Sequence, residues 1–188
     1  GTSSSAVSVG FNITESFWQD ASGTVTIYRK AGDGKEEALY KTLNLTPTQR
    51  AYTLSELLSD TGVYRFEFEA RDRVGHTATT SQTLTVDRNK PEIKLTGVKN
   101  YDVTDGEVSI SAVITDEFYS NKTVSISGTR TGIDGKKTQI SFSPFAAAAN
   151  PTSINDTFTE DGIYDIIIVS RDIAGNVSSS SVHFTIDK

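Results

Sequence analysis

Asp60-Thr61-Gly62-Val63-Tyr64-Arg65-Phe66 returns one hundred residues later as Glu160-Asp161-Gly162-Ile163-Tyr164-Asp165-Ile166, and the correspondence runs on to the end of the chain. Arg71-Asp72, with Gly75 following, returns as Arg171-Asp172 with Gly175, and Leu84-Thr85-Val86-Asp87 returns as Phe184-Thr185-Ile186-Asp187. A period of this size far exceeds the roughly 20 to 50 residues of a solenoid unit, so each repeat has room for a complete domain with its own core. Upstream the match continues with small slips. Asn12 to Trp18 matches Val113 to Tyr119 at an offset of 101, Val25-Thr26-Ile27 matches Val124-Ser125-Ile126 at 99, and Asp33-Gly34-Lys35 matches Asp134-Gly135-Lys136 at 101. The slips fall between apolar runs, as expected if those runs are secondary structure and the gaps are surface loops. Two tandem domains are expected, residues 1–88 and 89–188.

The quoted stretch also gives the type of structure. Tyr64, Phe66, Phe68 and Ala70 alternate with Arg65, Glu67 and Glu69, a period of two that marks a strand with one buried face. Val7, Val9, Phe11 and Ile13 repeat the pattern, as do Val108, Ile110, Ala112 and Ile114. Ile166-Ile167-Ile168-Val169 is continuously apolar, which suggests cover on both faces. Gly- and Asp-rich turn signals separate the runs at Gly32-Asp33-Gly34, Asp60-Thr61-Gly62, Val74-Gly75, Asp134-Gly135 and Ala174-Gly175-Asn176. Only Thr53 to Leu58 and Phe145 to Ala149 lean towards helix, and both are too short for more than a turn or two. The expected class is all-β: two tandem Greek-key β-sandwiches. Aligning Val7 with Val108 places the counterpart of Glu92–Gly97 before residue 1, so the first domain is expected to lack its first strand, with Gly1 to Ser5 reading as the cut edge of a longer protein.

Composition excludes several function classes. The chain has 188 residues, 36% apolar and 22% charged, too apolar for a disordered tail. Its net charge of -6 is spread along the chain without a basic stripe, which argues against nucleic acid and against an anionic membrane surface. With no cysteine there are no disulfides, thiolate nucleophiles or cysteine metal sites. No apolar run approaches the roughly 18 residues of a membrane span, and no signal peptide is visible.

Asp/Glu-x-Gly-x-Tyr just before a strand is the sequence form of a tyrosine corner, in which the phenol hydroxyl bonds back to nearby backbone; Tyr64 and Tyr164 are the candidates. Two residues further on, where an antibody domain carries a cysteine, stand Phe66 and Ile166, so packing alone holds the core. Gly162-Ile163-Tyr164 through Arg171-Asp172-Ile173-Ala174-Gly175-Asn176 to Phe184-Thr185-Ile186-Asp187-Lys188 resembles the closing F–G hairpin of bacterial immunoglobulin-like domains, the tandem modules of large Gram-positive cell-surface and secreted proteins. Asp87-Arg88-Asn89-Lys90-Pro91-Glu92-Ile93 resembles their inter-domain junction, which Pro91 would stiffen by fixing its own φ and extending Lys90. The first domain departs from the pattern at Val74 and His76, where the second has Ala174 and Asn176. The resemblance implies an extracellular module, flanked by further repeats in its parent chain, and names no activity.

Nothing in the sequence assembles a catalytic centre or a cofactor site. The two histidines, His76 and His183, occupy non-equivalent positions and read as solvated side chains, and there is no phosphate loop or nucleophile elbow. Asp72 and Asp172 recur before a Gly and read as caps of a hairpin turn. Asp72, Asp87 and Asn89 also resemble pieces of the cadherin calcium-linker pattern, but calcium takes about 6 to 8 oxygens and Arg88 and Lys90 bracket the site, so a plain linker is the stronger reading. Phe17-Trp18 and Phe118-Tyr119 fall in the loop after strand B, where aromatic rings either plug the end of the sandwich or contact an extracellular glycan or host protein. The expectation is a non-catalytic spacer of a bacterial surface protein, with a binding module using those four aromatics as its rival.

Overall fold

The computed structural model describes residues 6–14, 22–32, 35–45, 51–118 and 123–188. The chain divides into two compact units, Gly1–Arg88 and Asn89–Lys188. Every described element is a strand, so no helix among them is long and apolar enough to cross a membrane.

The first unit contains β1 (Ala6–Asn12), β2 (Ser22–Lys30), β3 (Glu37–Asn44), β4 (Ala51–Leu57), β5 (Gly62–Arg71) and β6 (Thr77–Val86). They form a four-stranded sheet in the order β3-β2-β5-β6 and a second sheet of β1 with β4. All pairs are antiparallel, and the chain changes sheet between β1 and β2, β3 and β4, and β4 and β5, the Greek-key path of an immunoglobulin-like sandwich. Val9 from one sheet packs with Val25, Ile27, Tyr64, Phe66 and Phe68 from the other, and Leu58 completes the cluster. The intervening Arg65 and Glu67 stay outside, as the period of two requires.

The second unit contains β7 (Glu92–Thr96), β8 (Asp102–Thr104), β9 (Val108–Thr115), β10 (Thr123–Thr131), β11 (Lys137–Gln139), β12 (Thr152–Phe158), β13 (Gly162–Arg171) and β14 (Val177–Ile186). The larger sheet runs β11-β10-β13-β14-β8 and the smaller β12-β9-β7. The segment from Glu92 to Thr104 thus serves both sheets: β7 pairs antiparallel with β9, and β8 pairs parallel with β14. Two clusters fill the space between the sheets, one around Ile110, Phe158, Tyr164 and Phe184, the other around Ala112, Ile114, Ile154 and Ile168. The all-β, tandem-sandwich fold class follows from this strand order.

Three sequence expectations differ from the structure. Thr53 to Leu58 does not turn helically: β4 pairs with β1 along its length, with Leu54 opposite Val9, because so short a segment gains more from a ladder than from an unnucleated helix. Ile166-Ile167-Ile168-Val169 is covered on one face only: Ile166 and Ile168 are buried, while Ile167 is 42% exposed, so the strand alternates even though its side chains do not. The match of Val25 to Val124 is two residues out. Val25 lies opposite Phe68 and Ile126 opposite Ile168, so the two strands correspond at an offset of 101. A slip of two leaves every side chain on its proper face, so alternation alone cannot detect it.

Candidate functional site

The residues repeated between the units are the natural place to look for a function, and three pairs of them are held by partners within their own unit. Tyr64 Oη donates to the carbonyl of Asp60 at 2.9 Å, and Tyr164 Oη donates to the carbonyl of Glu160 at 2.7 Å. Both rings are buried, Tyr164 stacked on Phe184 with centroids 4.8 Å apart and Tyr64 meeting Tyr40 edge-on at 5.3 Å. Burial pushes both phenol pKa values above the ordinary 10.0, against the opposing pull of Arg29 on Tyr64 and of Arg130 on Tyr164.

Those two arginines form a repeated feature that sequence reasoning missed. Arg130 donates through Nε and Nη2 to the carbonyl of Asp161 at 2.9 and 2.7 Å, and Arg29 Nη2 donates to the carbonyl of Thr61 at 2.5 Å. Each reaches from the strand beside the tyrosine corner to clamp the same turn from the other side. Arg130 also pairs with Glu160, and Arg29 lies 3.9 Å from Asp60. The signal was present: at the structural offset of 101, Arg29 and Arg130 coincide, whereas the offset of 99 assigned to this strand separates them.

Asp72 and Asp172 cap the turns between β5 and β6 and between β13 and β14. Asp72 Oδ1 accepts from the backbone of His76 and Asp172 Oδ1 from that of Asn176, both at 2.8 Å. The second oxygen meets the side chain of the same residue, His76 Nδ1 at 2.8 Å or Asn176 Nδ2 at 2.7 Å. Gly75 and Gly175 supply positive φ values of 101° and 91°, which the turn requires and L side chains resist. Burial acts to raise the Asp72 pKa, but hydrogen bonds from the His76 backbone and ring and from Gly75 outweigh it and hold the carboxyl below its ordinary 3.8. His76 and His183 are therefore not merely solvated: His183 Nδ1 meets Asp165 Oδ1 at 2.7 Å.

The calcium grouping of Asp72, Asp87 and Asn89 is not assembled. In the β5–β6 hairpin Arg71 faces Thr77 and Gly62 faces Val86, which puts Asp72 and Asp87 at opposite ends, about 30 Å apart at ~3.3 Å per residue. Asn89 Nδ2 instead donates to Glu117 Oε2 at 2.7 Å. Among the described residues, no three His, Asp or Glu side chains converge on a point where a metal ion would be held.

Of the four loop aromatics, Phe17, Trp18 and Tyr119 lie outside the described residues, as do Gly1 to Ser5. Phe118 is 4% exposed, its backbone N–H held by Asp116 Oδ1 at 2.9 Å, and its loop is tied to Asn150, whose Nδ2 donates to the Asp116 carbonyl at 2.9 Å. A concavity of about 530 Å³ is an open depression on the outer face of the β10-β13-β14 sheet, where Ile167 lies between Ser127 and Ser181. Tyr101 and His183 meet at its edge with ring centroids 5.2 Å apart and planes tilted by 47°.

No protein-family model and no curated protein matches the chain. Solved structures similar to it include the amphioxus IgVJ-C2 molecule, at 17% identity over 95% of this chain and 96% of that one, with a TM-score of 0.41. The fibronectin(III)-like modules of Clostridium thermocellum CbhA are similar at 15% identity over 98% of this chain and 86% of theirs, with a TM-score of 0.32. At such scores neither carries an argument about activity or partners. The chain's own strand order, tyrosine corners and capped hairpins describe two immunoglobulin-like β-sandwiches in tandem.

Proposed function

We propose that this chain is a non-catalytic structural module that spaces other domains within a larger extracellular protein, of the kind carried on or secreted from bacterial cell surfaces. One observation carries the reading: three pairs of polar side chains that recur between the units, Tyr64 and Tyr164, Arg29 and Arg130, Asp72 and Asp172, are engaged with backbone of their own unit. What the repeat preserves is the machinery of the fold, and polar groups spent on turns are not available to a substrate. Immunoglobulin-like domains commonly serve as structural or binding modules, and fold alone does not choose between these.

The rival is an adhesin module contacting glycan or host protein through Phe17, Trp18, Phe118 and Tyr119. Phe118 is buried, which leaves that role to the other three. A screen of the chain against extracellular glycans and host-surface proteins separates the two readings. Retention no stronger than that of an unrelated sandwich domain supports the spacer. Retention that is lost on Trp18→Ala overturns it.

A further inference from the structure

The repeat that fixes the fold breaks down along one row of side chains on the outer face of the larger sheets. In the second unit Gln139 faces Thr129, Thr129 faces Asp165 and Asp165 faces His183, so polar side chains from β11, β10, β13 and β14 stand side by side. The corresponding row in the first unit is Leu39, Tyr28, Arg65 and Thr83. There the face is filled by its own side chains, Arg65 lying over the Tyr28 ring at 4.2 Å and pairing with Glu37 and Glu67. In the second unit the row lies open in the depression of about 530 Å³, with Ser127, Ile167 and Ser181 as the next row beside it.

Tyr101 closes one end of the row, and its placement does nothing for the core. It is 74% exposed, and its φ of 68° lies in the left-handed region that glycine enters freely and a bulky side chain does not. The turn that imposes this conformation is braced onto β14 from both sides of His183. The Tyr101 N–H donates to the His183 carbonyl at 2.5 Å, and the His183 N–H donates to Asn100 Oδ1 at 2.8 Å. The Asp102 carboxylate accepts from the Lys99 N–H at 2.8 Å and secures the turn itself. An aromatic ring held in water by a strained and braced backbone points to a role outside folding.

The groups around that ring define what could rest against it. Strands β10, β13 and β14 are each paired on both edges, so a peptide cannot add to this face as a further strand, and contacts must come from side chains. The lining has no lysine or arginine, and its one carboxylate, Asp165, already meets His183; in a chain of net charge -6 this disfavours an anion. What remains is a set of hydroxyl, amide and imidazole groups that both donate and accept, between the apolar surfaces of Tyr101 and Ile167. A sugar ring matches that inventory, because its hydroxyls each give and take a hydrogen bond and its C–H face lies flat against an aromatic ring. With strands ~4.8 Å apart, the row from Gln139 to His183 is about 14 Å long, which suits several linked rings. We propose that this face is a binding site for a neutral oligosaccharide, with Tyr101 as its stacking platform and Asp165, His183, Gln139 and Thr129 as hydrogen-bond partners along it. The site goes beyond the spacer role and uses none of the aromatics of the loops after strand B.

The test titrates the intact, isotopically labelled chain with neutral hexasaccharides of β-linked glucose, β-linked N-acetylglucosamine and α-linked mannose, and with a sulfated heparin hexasaccharide. Each probe is taken to about 5 mM, where even millimolar affinities register in amide spectra. At least one neutral probe is expected to shift the signals of Tyr101, Asp165 and His183 saturably, and the sulfated probe is not. Tyr101→Gly relieves the left-handed strain, so it should leave the melting midpoint of the second unit no lower than the parent's while weakening binding roughly tenfold or more. Tyr101→Phe keeps the ring and should still bind. The proposal is overturned if no neutral probe shifts these signals, if the sulfated probe binds as tightly, or if Tyr101→Gly binds as the parent does. The first of these results leaves the spacer reading standing. Binding kept in Tyr101→Gly and lost in Trp18→Ala would belong to the loop aromatics and overturn both.

Discussion

Removing one hydroxyl from either tyrosine corner should destabilise one unit and spare the other. In Tyr64→Phe the ring keeps its place among Val25, Ile27 and Phe66, and only the 2.9 Å bond to the Asp60 carbonyl is lost. A neutral hydrogen bond contributes about 0.5 to 1.5 kcal/mol net, and stranding its acceptor away from water would add about 1 to 3 kcal/mol. The second cost should be small here, because the Asp60 side chain is 56% exposed and that of Glu160 69%, so water reaches both turns. The expected loss is therefore about 1 kcal/mol, which for a domain of this size lowers the midpoint by roughly 4 to 8 °C. Tyr164→Phe should do the same to the second unit. Each core cluster draws all its members from one unit, which is why the effects should separate. Scanning calorimetry on the two variants reads this directly. If both transitions move together in each variant, or if neither moves, the reasoning about separate cores and water-accessible acceptors fails.

Other outcomes follow from particular groups. Because burial raises both phenol pKa values above 10.0, the unfolded tyrosines ionise first as pH climbs, so stability from these groups is intact below about pH 10 and falls above it; flat urea midpoints from pH 9 to 11 would contradict this. Gly175→Ala should cost about 1 to 2 kcal/mol from its positive φ alone, since an added methyl would meet nothing within 4 Å. Gly128→Ala should cost more, because its methyl would sit 2.8 Å from the Asp165 carbonyl oxygen and 3.1 Å from side-chain atoms of Ile140 and Ile166; equal losses in the two variants would be the wrong result. Calcium at roughly 5 mM, above the weak extracellular range, should leave both thermal transitions where chelator leaves them. A rise of several degrees abolished by Asp87→Ala would restore an ion to the junction.

Much of the fold was legible because its information is local. Alternation along Tyr64, Phe66 and Phe68 and the turn chemistry of Asp172 and Gly175 depend on neighbours a few residues away, and the hundred-residue repeat let each unit corroborate the other. What escaped depends on partners remote in the chain. The three residues of β8 carry no pattern of their own and become a strand only because Phe184 to Ile186 lies beside them. Ile167 looks buried in sequence and is half-exposed in space, since only its sheet neighbours Ser127 and Ser181 reveal which face it occupies. Phe118 reads equally well as a surface ring or a core ring until its loop is placed. The arginine clamps were lost through a misalignment of two residues that no test of hydrophobicity penalises.

The strand β8 gives the second unit a particular response to tension. Pulled by its two ends, that unit is loaded backwards through the chain preceding Asp102 and forwards through the chain beyond Ile186. Those are the strands that run side by side in parallel, Asp102 with Phe184 through Thr104 with Ile186. The hydrogen bonds between them lie across the line of force and must slide apart together, instead of opening one after another from an end. Under stretching that short ladder should therefore set the force at which the second sandwich gives way.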